Sequence, residues 1–378
     1  NIHNEKFLKG SPFQLLKLRA SLGYLGNISF EPYQALTMYT SLAGLNYIKG
    51  IGAVPMGIGN KNLKWERTLS ANLGLDLTMF KGRWDFSADV YVKNTDNLLL
   101  DITKAPSLGI TTSRENVGEV ENHGFEFQTR VIPIKNKDWE WSLSLNYAYN
   151  KNKIKKISNA LREQNEKNQA KGGVTPLPIY EEGQSLTALK VVSSAGIDPI
   201  TGNEVFIKRD GSLTFVYDPN DKVVYGDTTP FGMGSIGSYL TYKQFSMGMS
   251  MRYSFGGAVY NQTLASKVEG ADPRYNADER VFSSRWKEVG QQAKYKRISD
   301  SSVPMQTSRF VETNNYITLS SLSLAYEVPL TFIKRYGLKR LHLEMLANDL
   351  FYLSSVKRER GLSYPYERSV EFSVRLGF

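Results

Sequence analysis

The sequence has 378 residues, of which 41% are hydrophobic and 22% are charged, so it can bury a sizeable core and is not a disordered chain. It contains no cysteine, which excludes disulfides, thiolate metal sites and a cysteine nucleophile, and its three histidines (His3, His123 and His342) are far apart, which argues against a histidine-rich metal site. The net charge of +10 suits a solvated surface, anionic lipid or an anionic cargo, whereas no Lys/Arg block interleaved with aromatic residues marks a nucleic-acid surface.

Apolar and polar residues alternate along much of the chain, which is the pattern of half-buried β-strands. The clearest case is 63–80, which is followed by the two-residue turn Lys81-Gly82 and by a second alternating segment at 83–98. No run of about 18 apolar residues indicates a transmembrane helix, but a transmembrane strand needs only about 9–11 residues with alternate ones facing lipid. We predict ten strands, at about 12–25, 63–80, 83–98, 117–133, 139–152, 233–243, 245–257, 314–328, 341–354 and 369–378.

The long stretch between the fifth and sixth strands contains weaker patterns. Three segments, 184–193, 203–208 and 213–217, are candidates for short additional strands. Residues 157–173 are polar with a helical composition, and their few apolar side chains predict an exposed loop helix without a core-facing side.

The predicted connectors alternate strictly between short and long. The short ones are 81–82, 134–138, 244 and 329–340, and the long ones are about 26–62, 99–116, 153–232, 258–313 and 355–368. Outer-membrane barrels have short turns at the periplasmic end and long loops at the outer end. The sequence therefore predicts an all-β fold, an antiparallel up-and-down transmembrane β-barrel with long extracellular loops, whose last strand ends at the periplasmic rim.

A soluble β-sandwich would also show alternation, because a sheet in water buries one face and wets the other. Three features favour the membrane barrel. Many predicted strands reach about 12 residues, against a usual 5–6. Aromatic residues such as Trp84, Trp139 and Phe255 gather near strand ends, as an interfacial girdle requires. The polar face mixes acidic, basic and amide side chains, which suits an aqueous or plugged interior.

Several segments in order along nearly the whole chain carry a resemblance to a known family. They are LKLRASLGYLGN (16–27), NKNLKWERTLSANLGLDL (60–77), NVGEVENHGFEF (116–127), AGIDPITGN (195–203), VYGDTTPFGMGSIGSYLTYKQF (224–245), SSRWKEVG (283–290) and RFVETNNYITLSSLSLAYEVP (309–329). With these segments and its terminal Phe strand, the chain resembles the C-terminal portion of SusC-type TonB-dependent outer-membrane transporters of Bacteroidota.

The resemblance implies a 22-stranded barrel in outer-membrane lipid, to which residues 1–378 supply about the last ten strands. It implies an N-terminal plug, a SusD-type lipoprotein lid, energy from TonB, and oligosaccharides or peptides as cargo. The plug domain, a TonB box and the first strands are not recognisable in this sequence. We therefore expect the remaining N-terminal half to be supplied elsewhere, and this chain by itself not to transport.

The chain ends in alternating SVEFSVRLGF, with Val370, Phe372, Val374, Leu376 and Phe378 on one face. A terminal aromatic strand in this setting resembles the signal that the barrel-assembly machinery reads. The alternative is an ordinary terminal edge strand, whose free edge would favour aggregation.

Cargo contacts are expected in the long loops. Trp286 offers a ring that could stack on a sugar and Arg285 offers hydrogen bonds, while Tyr364, Tyr366 and Arg368 form a second candidate group. The alternative is that these side chains only pack the loops.

Other chemistry finds little support. We interpret DPNDKVVYGD (218–227) as a polar turn rather than a calcium loop, because it lacks the oxygen-ligand spacing of an EF-hand. The glycine-rich stretch 231–238 precedes a strand rather than a helix, so it does not predict a dinucleotide site. We expect no cofactor and no catalytic residues. A passive porin, a barrel enzyme and a soluble carbohydrate-binding sandwich remain the alternative functions.

Overall fold

The computed structural model describes residues 2, 5, 10–28, 36–47, 50–272, 274–275, 277–357 and 368–378. Within these residues the chain forms sixteen strands: β1 (Phe13–Asn27), β2 (Met38–Tyr47), β3 (Gly50–Gly57), β4 (Glu66–Met79), β5 (Trp84–Thr103), β6 (Thr112–Lys135), β7 (Trp139–Ile157), β8 (Ala188–Ile197), β9 (Glu204–Ile207), β10 (Leu213–Thr214), β11 (Lys222–Asp227), β12 (Gly232–Tyr242), β13 (Phe245–Tyr260), β14 (Val311–Glu327), β15 (Arg340–Ser354) and β16 (Ser369–Gly377). The α-helices are α1 (Asn159–Ala170), α2 (Arg280–Ser283) and α3 (Leu330–Ile333), and Leu264–Glu269 form a π-helix.

Ten of these strands form one antiparallel sheet in the order β1-β4-β5-β6-β7-β12-β13-β14-β15-β16. Each strand pairs with the next main strand along the chain, which is an up-and-down meander. These are the ten strands that the alternation predicts, and the all-β class is confirmed. Alternation predicts these strands because successive side chains of a strand point to opposite faces of the sheet. A slip of one residue would move every apolar side chain to the wrong face, so the pattern also specifies the register.

Three strands run further toward the long-connector end than predicted. β5 extends to Thr103, β6 starts at Thr112 and β7 ends at Ile157, so the connectors expected at 99–116 and from 153 begin later. A buried cluster stabilises the extension, and its members are Ile102, Val117, Val120, Ile154, Ile157 and Leu161. The prediction stopped early because NLLLDIT, around Leu99, no longer alternates.

The connector between β7 and β12 folds into its own small sheet in the order β10-β9-β8-β11. The three candidate short strands correspond to β8, β9 and β10. The prediction of a polar turn over 218–227 is wrong for the second part of this segment. Only its first part is a turn, and Lys222–Asp227 form β11, which pairs with β8. The hairpin of β2 and β3, within the predicted loop 26–62, was also not predicted.

The helix expected within 157–173 is present as α1, but one of its sides is covered. Ser158 caps its N-terminus by accepting a hydrogen bond from the Leu161 backbone N–H at 3.2 Å. Asn165 and Asn168 are buried and donate to the backbone carbonyls of Tyr180 and Pro178. The predicted exposure was therefore wrong for this side of the helix, because amide side chains as well as Leu161 pack there.

The buried apolar clusters lie toward the long connectors rather than in the middle of the large sheet. One is the β5–β7 cluster described above, and the second joins Ala265, Val268, Val281, Tyr295 and Phe310 in the connector between β13 and β14. None of the helices in the described ranges has the length and apolar character needed to cross a membrane.

Candidate functional site: polar sheet face and outer loops

The large sheet has one apolar and one polar face, and the apolar face is uncovered. Leu73 and Val90 are 59% and 58% exposed, and Leu145 and Met249 are partly exposed. A water-soluble protein would bury such a continuous apolar face. Its exposure across the sheet is what contact with hydrocarbon requires.

The height of the apolar face is set by aromatic residues. Along β7 the outward apolar positions run from Trp139 to Tyr149, ten residue steps, which at about 3.3 Å per residue and about 40° of tilt span about 25 Å. At the short-connector end, Trp139 packs on Tyr242 with ring centroids 4.1 Å apart, and Phe245 packs on Tyr326 at 4.4 Å. These rings form an aromatic girdle at one edge of the band.

The opposite edge of the band is marked by charge. Directly beyond Tyr149 the same side of β6 and β7 carries Lys151, and Glu121 there lies 2.7 Å from the Nζ of Lys155. Charged groups at this level require water. The apolar band therefore ends near Tyr149, and the strand extensions beyond it stand outside the hydrocarbon layer.

The polar face carries an ionic network across its first three main strands. Arg19 on β1 donates to both carboxylate oxygens of Asp76 (2.8 and 2.9 Å) and of Asp89 (3.0 and 2.9 Å). Asp89 lies two strands away, on β5, and Arg19 reaches it by crossing β4 at Gly74. A Cβ at Gly74 would lie 2.5 Å from Asp89 Oδ1, so the ion pair between Arg19 and Asp89 requires a glycine at this position.

Further along the polar face, a groove of about 530 Å³ crosses β5 to β14. Glu126 and Arg252 line it together with Asn146 and Gln128. Neither Glu126 nor Arg252 forms an ion pair within the described part of the chain. The groove thus offers an anionic and a cationic group to whatever occupies the interior.

The two long connectors on either side of β12–β13 are joined by a buried ionic centre. Arg309 donates to both oxygens of Glu204 (2.7 and 2.6 Å) and of Glu269 (2.7 and 2.8 Å). The side chains of the three residues are 10%, 3% and 1% exposed. Burial acts to lower the pKa of Arg309, but the hydrogen bonds to the two carboxylates prevail and raise it above its ordinary value.

Backbone contacts reinforce this junction. The Val192 N–H on β8 donates to the carbonyl of Gln306 at 3.2 Å, and the Ser194 N–H donates to Ser308 Oγ at 3.0 Å. Lys222 on β11 is buried, and its Nζ donates to three carbonyls at the C-terminal end of α1, at 2.7 to 3.1 Å. Burial lowers the pKa of Lys222 to about 8.

The first pair of predicted contact residues is built into this loop structure. Arg285 is 3% exposed, and its guanidinium donates to the backbone carbonyls of Val281, Val268, Glu269 and Lys296. Trp286 donates from Nε1 to the carbonyl of Pro199 at 2.9 Å, and its ring lies over Gly202. This geometry favours the packing alternative for Arg285, whereas Trp286 is still partly exposed.

A smaller ionic contact holds the segment after Arg285. Asp300 accepts from the backbone N–H of Ser302 at 2.9 Å and lies 2.9 Å from the Nζ of Lys296. Burial acts to raise the pKa of Asp300, but hydrogen bonds from Ser302 and Lys296 prevail and lower it to about 2. The carboxylate is therefore ionised throughout the physiological range.

The second group of predicted contact residues is only partly described. Tyr364 and Tyr366 lie outside the described residues, and Arg368 is exposed directly before β16. A contact role for these three residues stays a prediction.

The predicted assembly strand lies at one edge of the sheet. Within the described residues β16 pairs only with β15. Its outward side chains are exposed, with Phe372 at 78% and Phe378 at 79%, and the others are Val370, Val374 and Leu376. The edge position fits a closing strand as well as an ordinary edge strand, so the assembly role stays a prediction.

Among the described residues, no group of three or more His, Cys, Asp or Glu side chains is arranged to hold a metal ion. The ionic centres that the structure does contain were missed from the sequence. Arg19 could have been found, since it lies at a polar position of a predicted strand opposite Gly74. Glu204, Glu269 and Arg309 carry no sequence signal, because Glu269 and Glu204 lie 40 and 105 residues away from Arg309 in the chain.

The family model described as "TonB dependent receptor-like, beta-barrel" matches residues 11–344. TonB-dependent receptor P3 of Formosa agariphila is 30% identical over 373 residues, which cover 93% of this chain and 36% of that protein. TonB-dependent receptor SusC of Bacteroides thetaiotaomicron is 31% identical over 218 residues, which cover 55% of this chain and 21% of that protein. The chain spans roughly a third of the length of the first of these relatives.

A solved structure, "Structure of the RagAB peptide transporter", superposes on all of this chain and on 42% of its own chain, with a TM-score of 0.84 and 22% sequence identity. The same importer in its 'closed-closed' state gives a TM-score of 0.80. At this level of identity the similarity establishes the fold, an open segment of a large antiparallel barrel.

Proposed function

The chain belongs to the TonB-dependent receptor-like β-barrel family and to the outer membrane, and on that basis we propose that it forms about the last ten strands of a transporter that imports oligosaccharides or peptides. The observation that carries the proposal is the pairing of an apolar outer band about 25 Å high with an ionic inner face. The inner face presents Glu126 and Arg252 without ion-pair partners in the described part of the chain, so it can contact polar solutes.

The proposed partners follow from the same family. We propose that an N-terminal segment supplies the plug and the other strands, that TonB acts through that segment, and that a SusD-type lipoprotein covers the outer loops. The relatives carry receptor names, and the absence of an enzymatic activity remains a prediction.

The test uses the full-length protein in its own outer membrane. Cells with and without the protein are given a fluorescently labelled peptide and a fluorescently labelled oligosaccharide, and uptake is measured with and without a protonophore. Active import predicts protein-dependent uptake of one cargo that stops with the protonophore. Uptake that continues in its presence would instead identify a passive porin.

The loop contact residues are tested in the same assay. Trp286→Ala and Arg368→Gln are expected to raise the cargo concentration needed for half-maximal uptake without lowering the amount of folded protein. An unchanged dependence on cargo concentration would assign both side chains to loop packing.

A further inference from the structure

The short connectors of the large sheet carry a concentration of unpaired positive charge. These four connectors, 80–83, 136–138, 243–244 and 328–339, hold seven basic residues and one acidic residue, a net +6 of the chain's +10. The basic residues are Lys81, Arg83, Lys137, Lys243, Lys334, Arg335 and Lys339. None of them forms an ion pair within the described part of the chain. We call this set the basic rim.

The density of positive charge is highest at this end of the sheet. The four short connectors carry a net +6 over 21 residues, whereas the five long connectors together carry a net +5 over 184 residues. In the two longest, the charges cancel: 158–231 has seven basic and ten acidic residues, and 261–310 has nine basic and six acidic ones. Many of those charges are also paired, as in the Arg309 centre. The net positive charge per residue is thus highest where the connectors are short.

The basic rim borders the aromatic girdle. The Nζ of Lys243 lies 5.3 Å from the ring centroid of Tyr242, which belongs to the girdle. In the connector between β14 and β15, Leu330 and Phe332 are 54% and 66% exposed next to Lys334 and Arg335, whereas Ile333 is buried. Exposed apolar residues among cations are typical of a segment that lies in the headgroup region of a membrane.

A groove on the apolar face opens next to these two connectors. It has a volume of about 470 Å³ and crosses β12 to β16. Its lining includes Tyr242, Phe245, Tyr326, Leu343, Phe372 and Val374. The connectors that hold Lys243 and Lys334 join the strands that form its walls.

We propose that the basic rim and this groove bind an anionic phospholipid of the surrounding leaflet. The phosphate lies against Lys243, Lys334, Arg335 and Lys339, and an acyl chain lies in the groove. Charge complementarity and the adjoining apolar surface favour lipid over a soluble acidic protein, because only a lipid satisfies both at once. The inference rests on membrane insertion and is independent of which cargo is imported.

The test is lipid binding by the full-length protein in detergent, followed by native mass spectrometry during titration with phosphatidylglycerol. The rim variant combines Lys243→Gln, Lys334→Gln, Arg335→Gln and Lys339→Gln. Its apparent affinity for phosphatidylglycerol should fall roughly fivefold for each cation removed, and high salt should weaken binding by the unaltered protein. Phosphatidylcholine should bind both proteins equally.

The matched control removes four exposed lysines from the long connectors, with Lys171→Gln, Lys208→Gln, Lys267→Gln and Lys287→Gln. It changes net charge equally and should retain phosphatidylglycerol binding. A charge-conserving variant with Lys243→Arg, Lys334→Arg and Lys339→Arg should also retain it. Heat-modifiable gel mobility shows whether each variant is folded.

Two further arms separate the headgroup from the acyl chain. Leu343→Trp narrows the groove and should lower phosphatidylglycerol binding while all cations remain. Inorganic phosphate at the same concentration should not compete, since it has no acyl chain. Equal phosphatidylglycerol binding by the rim variant and the control, or full competition by inorganic phosphate, would overturn the proposal.

Discussion

Replacing Arg309 with methionine tests whether the buried ionic centre holds the outer loops together. The substitution keeps much of the side-chain volume but removes the cation that lies 2.6 to 2.8 Å from both Glu204 and Glu269. The two carboxylates are almost completely buried, so they would be left without a counter-charge.

The expected loss of stability is about 3–5 kcal/mol, the usual result of removing one partner from a buried ion pair. It should lie at the upper end of this range, because two buried carboxylates lose their counter-charge. The cost falls on the junction between the two connectors and not on the barrel strands, whose hydrogen-bond ladders are untouched. Local opening should therefore increase by roughly three to four orders of magnitude while the barrel remains folded.

Hydrogen exchange on the full-length protein in detergent measures this opening. Amides of β8, β9 and the π-helix should lose protection in Arg309→Met, whereas amides in the middle of β13 and β14 should not. Arg274→Gln is the control, because Arg274 pairs with Asp272 at the exposed surface and its loss should leave the protection unchanged. Adding Glu204→Gln and Glu269→Gln to Arg309→Met should restore much of the protection. Equal protection in Arg309→Met and the unaltered protein would refute the argument.

Three further predictions concern the sheet, the loops and the last strand. Gly74→Ala should destabilise the barrel by about 1–3 kcal/mol, because the new Cβ would lie 2.5 Å from Asp89 Oδ1. Gly23→Ala on the neighbouring strand is the control, since its Cβ would meet no atom within 4 Å. Equal shifts of the two variants in heat-modifiable mobility would contradict the predicted clash at Gly74. Asp300→Asn should destabilise the loops by about 1 kcal/mol at pH 7. Because folding lowers the pKa of Asp300 to about 2, this difference in stability, measured by hydrogen exchange against the unaltered protein, should disappear as the pH falls from about 4 to 2. A difference that does not depend on pH would rule out the ion pair. Phe378→Ser should lower the amount of folded barrel in the outer membrane several-fold without changing the unfolding temperature of the folded fraction. If the amount and the unfolding temperature fall together, Phe378 only packs an ordinary edge strand.

The loops show why local patterns were sufficient for some elements and not for others. α1 was predictable because polar helix formers and the capping Ser158 act within one turn of the chain. β11 was not, because residues 222–227 become a strand only by pairing with β8. In the same way, the extension of β5 past Leu99 depends on a cluster shared with β6, β7 and α1.

The roles of the candidate site residues likewise depend on contacts between distant segments, which local patterns do not show. Arg285 and Trp286 were selected for chemical type, but the Arg285 donors are taken up by four backbone carbonyls, a role that depends on where other loop segments lie. Arg309 looked like any other loop arginine, and only the approach of two distant glutamates makes it the centre of the loop junction.

The sequence by itself determined the ten main strands, their antiparallel order and which face is apolar. It could do so because alternation is a property of each strand, and because each short connector forces the two strands that it joins to pair. Only the tertiary structure decided which charges meet. The contacts of Arg19 with Asp89 across Gly74 and of Arg309 with Glu204 and Glu269 join residues distant in the chain, and electrostatic energy depends on their distance in space and on burial.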